Sequence, residues 1–112
     1  MDKTVQELLQ EAKGRVKEVT PQEAKEKLKK GGVIFIDVRE PQEVVQGKIE
    51  GAVTIPRGLL ELQVENAVPN HKQEIICYCA GGVRSLLAAD TLKGMGYENV
   101  ASMAGGYKNW VP

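Results

Sequence analysis

Apolar residues recur at Val5, Leu8, Leu9, Ala12 and Val16, so the spacing predicts an amphipathic helix over residues 2–17. Thr20, Pro21 and Glu23 then form a helix start: a hydroxyl cap, proline at the first helical position, and a glutamate placed to close a capping box. That second helix is expected to run to about Lys30, where Gly31-Gly32 ends it. The pattern next changes from periodic to continuous. Val33-Ile34-Phe35-Ile36-Asp37-Val38 is an unbroken run of strand formers, as expected for a strand covered on both faces of a parallel sheet. Residues 40–43 open a short helical turn, 47–52 form a loop and 53–56 a short strand. Residues 59–64 are expected to be helical. Ile75–Cys79 is a second central strand followed by a helix over 83–93, which Gly94 and Gly96 end. Residues 99–103 form a further strand and 105–110 a closing helical turn with Trp110 packed inward. Alternation of strand and helix predicts an α/β fold with a largely parallel sheet, whose ligands bind beyond the carboxyl ends of the strands.

The most informative chemistry lies at such an end. Cys79-Ala80-Gly81-Gly82-Val83-Arg84-Ser85 follows directly on an apolar strand and enters a helix. A strand that stops at cysteine, turns on glycine and enters a helix makes a bowl of backbone N–H groups with the positive end of the helix dipole behind it. Such a bowl holds an anion and favours the thiolate of Cys79. Gly81 and Gly82 are both expected to be required, so that no side chain fills the bowl. Asp37-Val38-Arg39 lies at the end of the other central strand, where Arg39 and Glu43 have the spacing of a local ion pair.

Bulk properties narrow the partners. The chain has 112 residues, which predicts one domain able to bury its own core. Lys+Arg and Asp+Glu are both 15, and this balance argues against nucleic-acid or membrane-surface binding. Met1-Asp2-Lys3-Thr4 is charged and has no apolar signal region, and no apolar run is long enough to span a membrane, so the expected compartment is the reducing cytoplasm. Cys77 and Cys79, at i and i+2, are read as facing opposite sides of their strand and poorly placed for a disulfide. Cys77 is expected to act as a small buried hydrophobe. His71 lies in a polar stretch without paired ligands, so no metal or other cofactor is expected. Tyr107 and Trp110 are read as packing residues.

Four segments, in order, carry a resemblance to the rhodanese-like domains, and among them to the single-domain sulfurtransferases of the thiosulfate type. They are residues 35–43 (Phe-Ile-Asp-Val-Arg-Glu-Pro-Gln-Glu), residues 47–52, the Cys79–Ser85 loop and Gly105-Gly106-Tyr107-Lys108-Asn109-Trp110. Lys48 departs from the pattern, since the family usually has histidine there. The resemblance implies a central, mainly parallel five-stranded sheet flanked by helices. It places a rhodanese-like domain at 17–112, with the helix of residues 1–16 outside its core. It implies that Cys79 takes a sulfane sulfur from thiosulfate or a persulfide, becomes a persulfide, and passes the sulfur to a thiol or to cyanide. Ala80, Gly81, Gly82, Val83 and Ser85 would hold the anion. Arg84 would either attract an anionic donor or pair with Asp37 or Glu43 to shape the loop. Arg57 is a candidate for the donor anion, with a solvated surface arginine as the alternative; Asp37, Arg39 and Glu43 are read as positioning residues. Cys79 to Arg84 spans C-x4-R, one residue shorter than the C-x5-R of cysteine phosphatases. The competing reading is a sulfur-relay module that carries persulfide between protein partners, with the N-terminal helix as a docking element.

Overall fold

The structure, a computed structural model, describes residues 2–111. Helix α1 (Val5–Arg15) starts at Thr4, whose hydroxyl accepts from the Glu7 N–H at 3.2 Å while the Glu7 carboxylate accepts from the Thr4 N–H at 3.0 Å. Strand β1 (Lys17–Val19) follows, and α2 (Pro21–Lys30) begins at the capping box formed by Thr20 and Glu23. Then come β2 (Val33–Asp37), the short α3 (Pro41–Val44) and β3 (Val53–Thr54). A 3-10 turn (Arg57–Leu59) leads into α4 (Leu60–Ala67). Strand β4 (Glu74–Tyr78), α5 (Val83–Gly94), β5 (Val100–Met103) and α6 (Gly106–Trp110) complete the chain.

The five strands form one parallel sheet in the order β1-β5-β4-β2-β3. The central pair sets the register: Ile36 lies beside Cys77 and Asp37 beside Tyr78, so the two strand ends that carry the candidate chemistry are neighbours. Each face is closed by apolar packing. On one, Ile36, Ile75, Cys77 and Cys79 pack with Leu60, Val64, Leu86, Ala89 and Leu92 of α4 and α5. On the other, Phe35, Ile76 and Tyr78 pack with Ala24, Ile49 and Met103, and Tyr107 and Trp110 of α6 cover them.

Two sequence expectations change. Strand β1 falls where the helical periodicity was expected to continue through Lys17; Lys17 and Glu18 are exposed, and pairing with Ala101–Met103 rather than an apolar pattern makes the strand. Cys77 and Cys79 share one face and one apolar cluster instead of facing opposite ways, because alternate residues of a strand project to the same side. Both are free thiols. Helix α1 lies off the sheet but is anchored: Ala12 is fully buried, Arg15 grips Asp90 of α5 through two bonds of 2.7 Å, and Lys93 caps the Arg15 carbonyl at 3.1 Å.

Candidate active site

Cys79 is the first residue beyond β4, and its side chain is 1% exposed. The Gly82 N–H points at its sulfur at 3.1 Å and the Ser85 N–H at 3.3 Å, and the Ser85 hydroxyl lies 3.5 Å away. Gly82 is the N-cap of α5 with φ of 101°, and no side chain caps that helix, so its first N–H groups are left for the sulfur. Burial pushes the Cys79 thiol up. The hydroxyl and N–H of Ser85 and the N–H groups of Gly82 and Gly81 outweigh it, and the thiol ends below its ordinary range. The thiolate therefore persists at lower pH than that of a free cysteine. Ala80 and Val83, expected in the cradle, make no hydrogen bond to the sulfur among the described residues.

Glycine is needed at one of the two expected positions. Gly82 has positive φ, and a methyl there would stand 3.2 Å from the Gly105 nitrogen. Gly81 has open space around it and no positive φ. The bowl is instead closed from behind by α6. The Tyr107 N–H donates to the Cys79 carbonyl at 2.7 Å and the Lys108 N–H to the Ala80 carbonyl at 3.2 Å. With these carbonyls turned outward, the following N–H groups face the sulfur.

The charged residues exchange partners relative to the sequence spacing. Arg39 does not pair with the Glu43 carboxylate. Its guanidinium holds Asp37 at 2.7 to 3.2 Å, donates to the Gly47 carbonyl at 2.7 Å and to the Glu43 carbonyl at 3.5 Å, and stacks 4.4 Å from the Tyr107 ring. Both members of this pair are buried, Asp37 fully. They tie the end of β2 to the α3 loop and to α6. The Glu43 carboxylate turns to Arg84, in a two-point contact of 2.7 and 3.0 Å. That contact, with the Glu40 N–H, holds the Glu43 carboxyl down at about 2. Of the two carboxylates expected as partners, Arg84 meets Glu43 rather than Asp37. Both side chains are about one-third exposed, so the contact is worth roughly 1 kcal/mol or less and serves to place the loop more than to hold the fold.

Arg57 is engaged by Glu61 at 3.0 Å and by Thr91 at 2.9 Å, with no hydrogen bond to the Cys79 loop. Lys48, where the resemblance expects histidine, donates to the Ala52 carbonyl at 3.0 Å and closes its own loop. His71 stacks on Tyr97 at 4.1 Å. Trp110 stands edge-on to Phe35 at 6.0 Å and carries Lys25 5.1 Å from its ring. Among the described residues no cluster of metal-ligating side chains occurs.

Sequence reasoning missed Ser102, whose hydroxyl lies 2.8 Å from that of Ser85; both residues are fully buried. The available signal was a lone hydroxyl inside the apolar strand Val-Ala-Ser-Met. Cys77 has no such partners, and burial pushes its thiol up to about 12. If Cys79 carries sulfur as the resemblance implies, Cys77→Ala is expected to keep that uptake while losing about 1 kcal/mol of stability from the small cavity it leaves. A thermal melt beside a mass measurement checks both halves. A folded Cys77→Ala protein that takes up no sulfur would make the second thiol part of the site.

A rhodanese-like domain model matches residues 20–112. The thiosulfate sulfurtransferase GlpE of Pseudomonas putida is 32% identical over 94 residues, 84% of each chain. A Schizosaccharomyces pombe relative named as mitochondrial is 32% identical over 88 residues, 69% of this chain and 62% of its own length. Among solved structures, a Rhodopseudomonas palustris protein of unknown function, described as a possible tyrosine phosphatase, has a TM-score of 0.85 and 33% identity. It covers 98% of this chain and this chain 90% of it.

Proposed function

The chain belongs to the rhodanese-like domain family, and from that premise we propose that it is a sulfurtransferase in which Cys79 carries the sulfur. The observation that carries this reading is the Cys79 sulfur, held by the Gly82 and Ser85 N–H groups and the Ser85 hydroxyl at the start of α5. The Cys79 thiolate attacks the sulfane sulfur of a donor. With thiosulfate, the sulfur–sulfur bond breaks and sulfite leaves with the electron pair. The product is a Cys79 persulfide, whose negative charge the loop N–H groups stabilise. An acceptor thiolate, or cyanide, then attacks the outer sulfur, and Cys79 leaves as the thiolate in which it began. No net oxidant or reductant is consumed, and no cofactor enters.

Two features weigh against phosphate chemistry. The C-x4-R loop is one residue short, and Arg84 is turned away to Glu43. The same engagement of Arg84 favours a second reading, in which the donor is a protein persulfide and small anions turn over poorly. The sulfur-bearing unit is taken as residues 17–112, with the helix of residues 1–16 as an added element. None of the helices among the described residues is long and apolar enough to cross a membrane; free thiols at both cysteines suit a reducing compartment such as the cytoplasm.

The test is the intact mass of the protein after exposure to thiosulfate and, separately, to a persulfide-loaded cysteine desulfurase. A gain of about 32 Da, one sulfur atom, is expected for a covalent intermediate. Rapid gain from thiosulfate supports a small-molecule enzyme, and gain from the loaded protein alone supports relay. No gain from either overturns the sulfurtransferase reading.

A further inference from the structure

Strand β5 is buried along its whole length and carries one polar side chain, Ser102, between Ala101 and Met103. The parallel register with β4 sets Ser102 beside Cys77, and the Ser102 hydroxyl reaches the Ser85 hydroxyl at 2.8 Å. Among the described residues Ser85 is its only side-chain or backbone hydrogen-bond partner. Ser85 in turn reaches only two side-chain atoms with its own hydroxyl: Ser102 Oγ, and Cys79 Sγ at 3.5 Å. The result is a buried chain of three atoms, Ser102 Oγ, Ser85 Oγ and Cys79 Sγ, joined by two links.

Counting hydrogens in that chain decides which charge state it suits. With Cys79 as thiol there are three hydrogens, one on sulfur and one on each hydroxyl, for two links. Whichever way the hydroxyls turn, one buried hydrogen has no acceptor. With Cys79 as thiolate there are two hydrogens for two links. Ser102 donates to Ser85, Ser85 donates to the sulfur, and every hydrogen is used. A hydroxyl that accepts one hydrogen bond also becomes a stronger donor in the next.

We propose that Ser102 is a positioning residue: without touching the sulfur, it turns the Ser85 hydroxyl hydrogen onto Cys79 Sγ and so completes the chain in the thiolate state. The proposal rests on Cys79 being the working thiol, as the sulfurtransferase reading has it. Its direction agrees with the downward pull that the Ser85 hydroxyl exerts on Cys79. It also accounts for a polar residue in the middle of a buried apolar strand, where alanine would otherwise suffice.

The experiment is the pH dependence of Cys79 alkylation by iodoacetamide, in a Cys77→Ala background so that one thiol reports. It needs no sulfur donor, so the role of Ser102 is tested even in a protein that transfers no sulfur. Ser102→Ala is expected to raise the alkylation midpoint by about half a pH unit, roughly a threefold loss of thiolate well below the midpoint. Ser85→Ala should raise it further, because the direct donor goes. The double variant should match Ser85→Ala alone, since Ser102 acts through Ser85. Ser102→Thr, which keeps the hydroxyl, should keep the original midpoint and gives a second reading should the alanine variant melt early. A folded Ser102→Ala protein with an unmoved midpoint overturns the proposal. So does a double variant shifted beyond Ser85→Ala, which would mean that Ser102 reaches the sulfur by another route.

Discussion

Cys79→Ser is expected to fold and to take up no sulfur: the variant should show no mass gain after donor treatment, and its transfer rate should fall by about three orders of magnitude or more, to that of the uncatalysed reaction. The fold should survive because serine fills nearly the same space, and its oxygen can accept from the Gly82 and Ser85 N–H groups that now meet the sulfur. The chemistry should not survive. A serine hydroxyl stays protonated near neutral pH even among such donors, and oxygen forms no persulfide. Among the described residues the other thiol cannot take over. Cys77 shares the cluster but is fully buried with its thiol pushed up to about 12, so its thiolate is negligible at working pH. Parallel measurements of mass, turnover and melting temperature separate loss of chemistry from loss of fold. Wild-type turnover by a folded Cys79→Ser protein would remove Cys79 from the mechanism.

The parts of this molecule that were legible in the sequence are those that local rules determine. The capping box at Thr20, the continuous apolar runs of β2 and β4, and the strand–glycine–helix passage at Cys79 each express a short-range constraint, and each element stands where it was expected. What was illegible depends on distant segments meeting. Strand β1 is three residues long with two of them exposed, and it exists because an edge of β5 is there to pair with. The spacing of Arg39 and Glu43 suggested a helical pair, yet Arg39 leaves the end of a strand and finds Asp37, two residues away, while Glu43 finds Arg84, far along the chain at the start of α5. Ser102 became part of the site only when β5 was laid beside β4. Arg57 shows the reverse: a charge close in sequence to a strand end was a candidate for the donor, and α4 and α5 supplied its partners instead. The proposed nucleophile was thus readable from one loop, whereas the residues that surround and brace it come from four other segments.

The same division predicts which glycine matters most to the site. Gly106→Ala is expected to be the most damaging single methyl group that could be added near Cys79, although Gly106 lies outside the loop. Its φ is +65°, in the left-handed region, which costs a non-glycine residue about 1 kcal/mol. The larger cost is steric. A Cβ at that position would stand 2.6 Å from the Cys79 carbonyl oxygen and closer still to that of Ala80, both of them backbone atoms that no side-chain rotation can clear. Either α6 or the Cys79 loop must then retreat. Retreat breaks the bonds from Tyr107 and Lys108 that turn the two carbonyls outward, and with them goes the inward aim of the Gly82 and Ser85 N–H groups. A destabilisation of about 3 kcal/mol is expected from strain and backbone clash together, accompanied by a rise of the Cys79 alkylation midpoint towards that of an ordinary thiol. Gly81→Ala is the matched control. It sits inside the loop, two residues from Cys79, but its methyl would meet nothing within 4 Å. If loop proximity rather than the α6 clamp governs the site, Gly81→Ala should be the worse of the two; a Gly106→Ala protein with the original melting temperature and the original midpoint would show that the carbonyls of Cys79 and Ala80 need no bracing from α6.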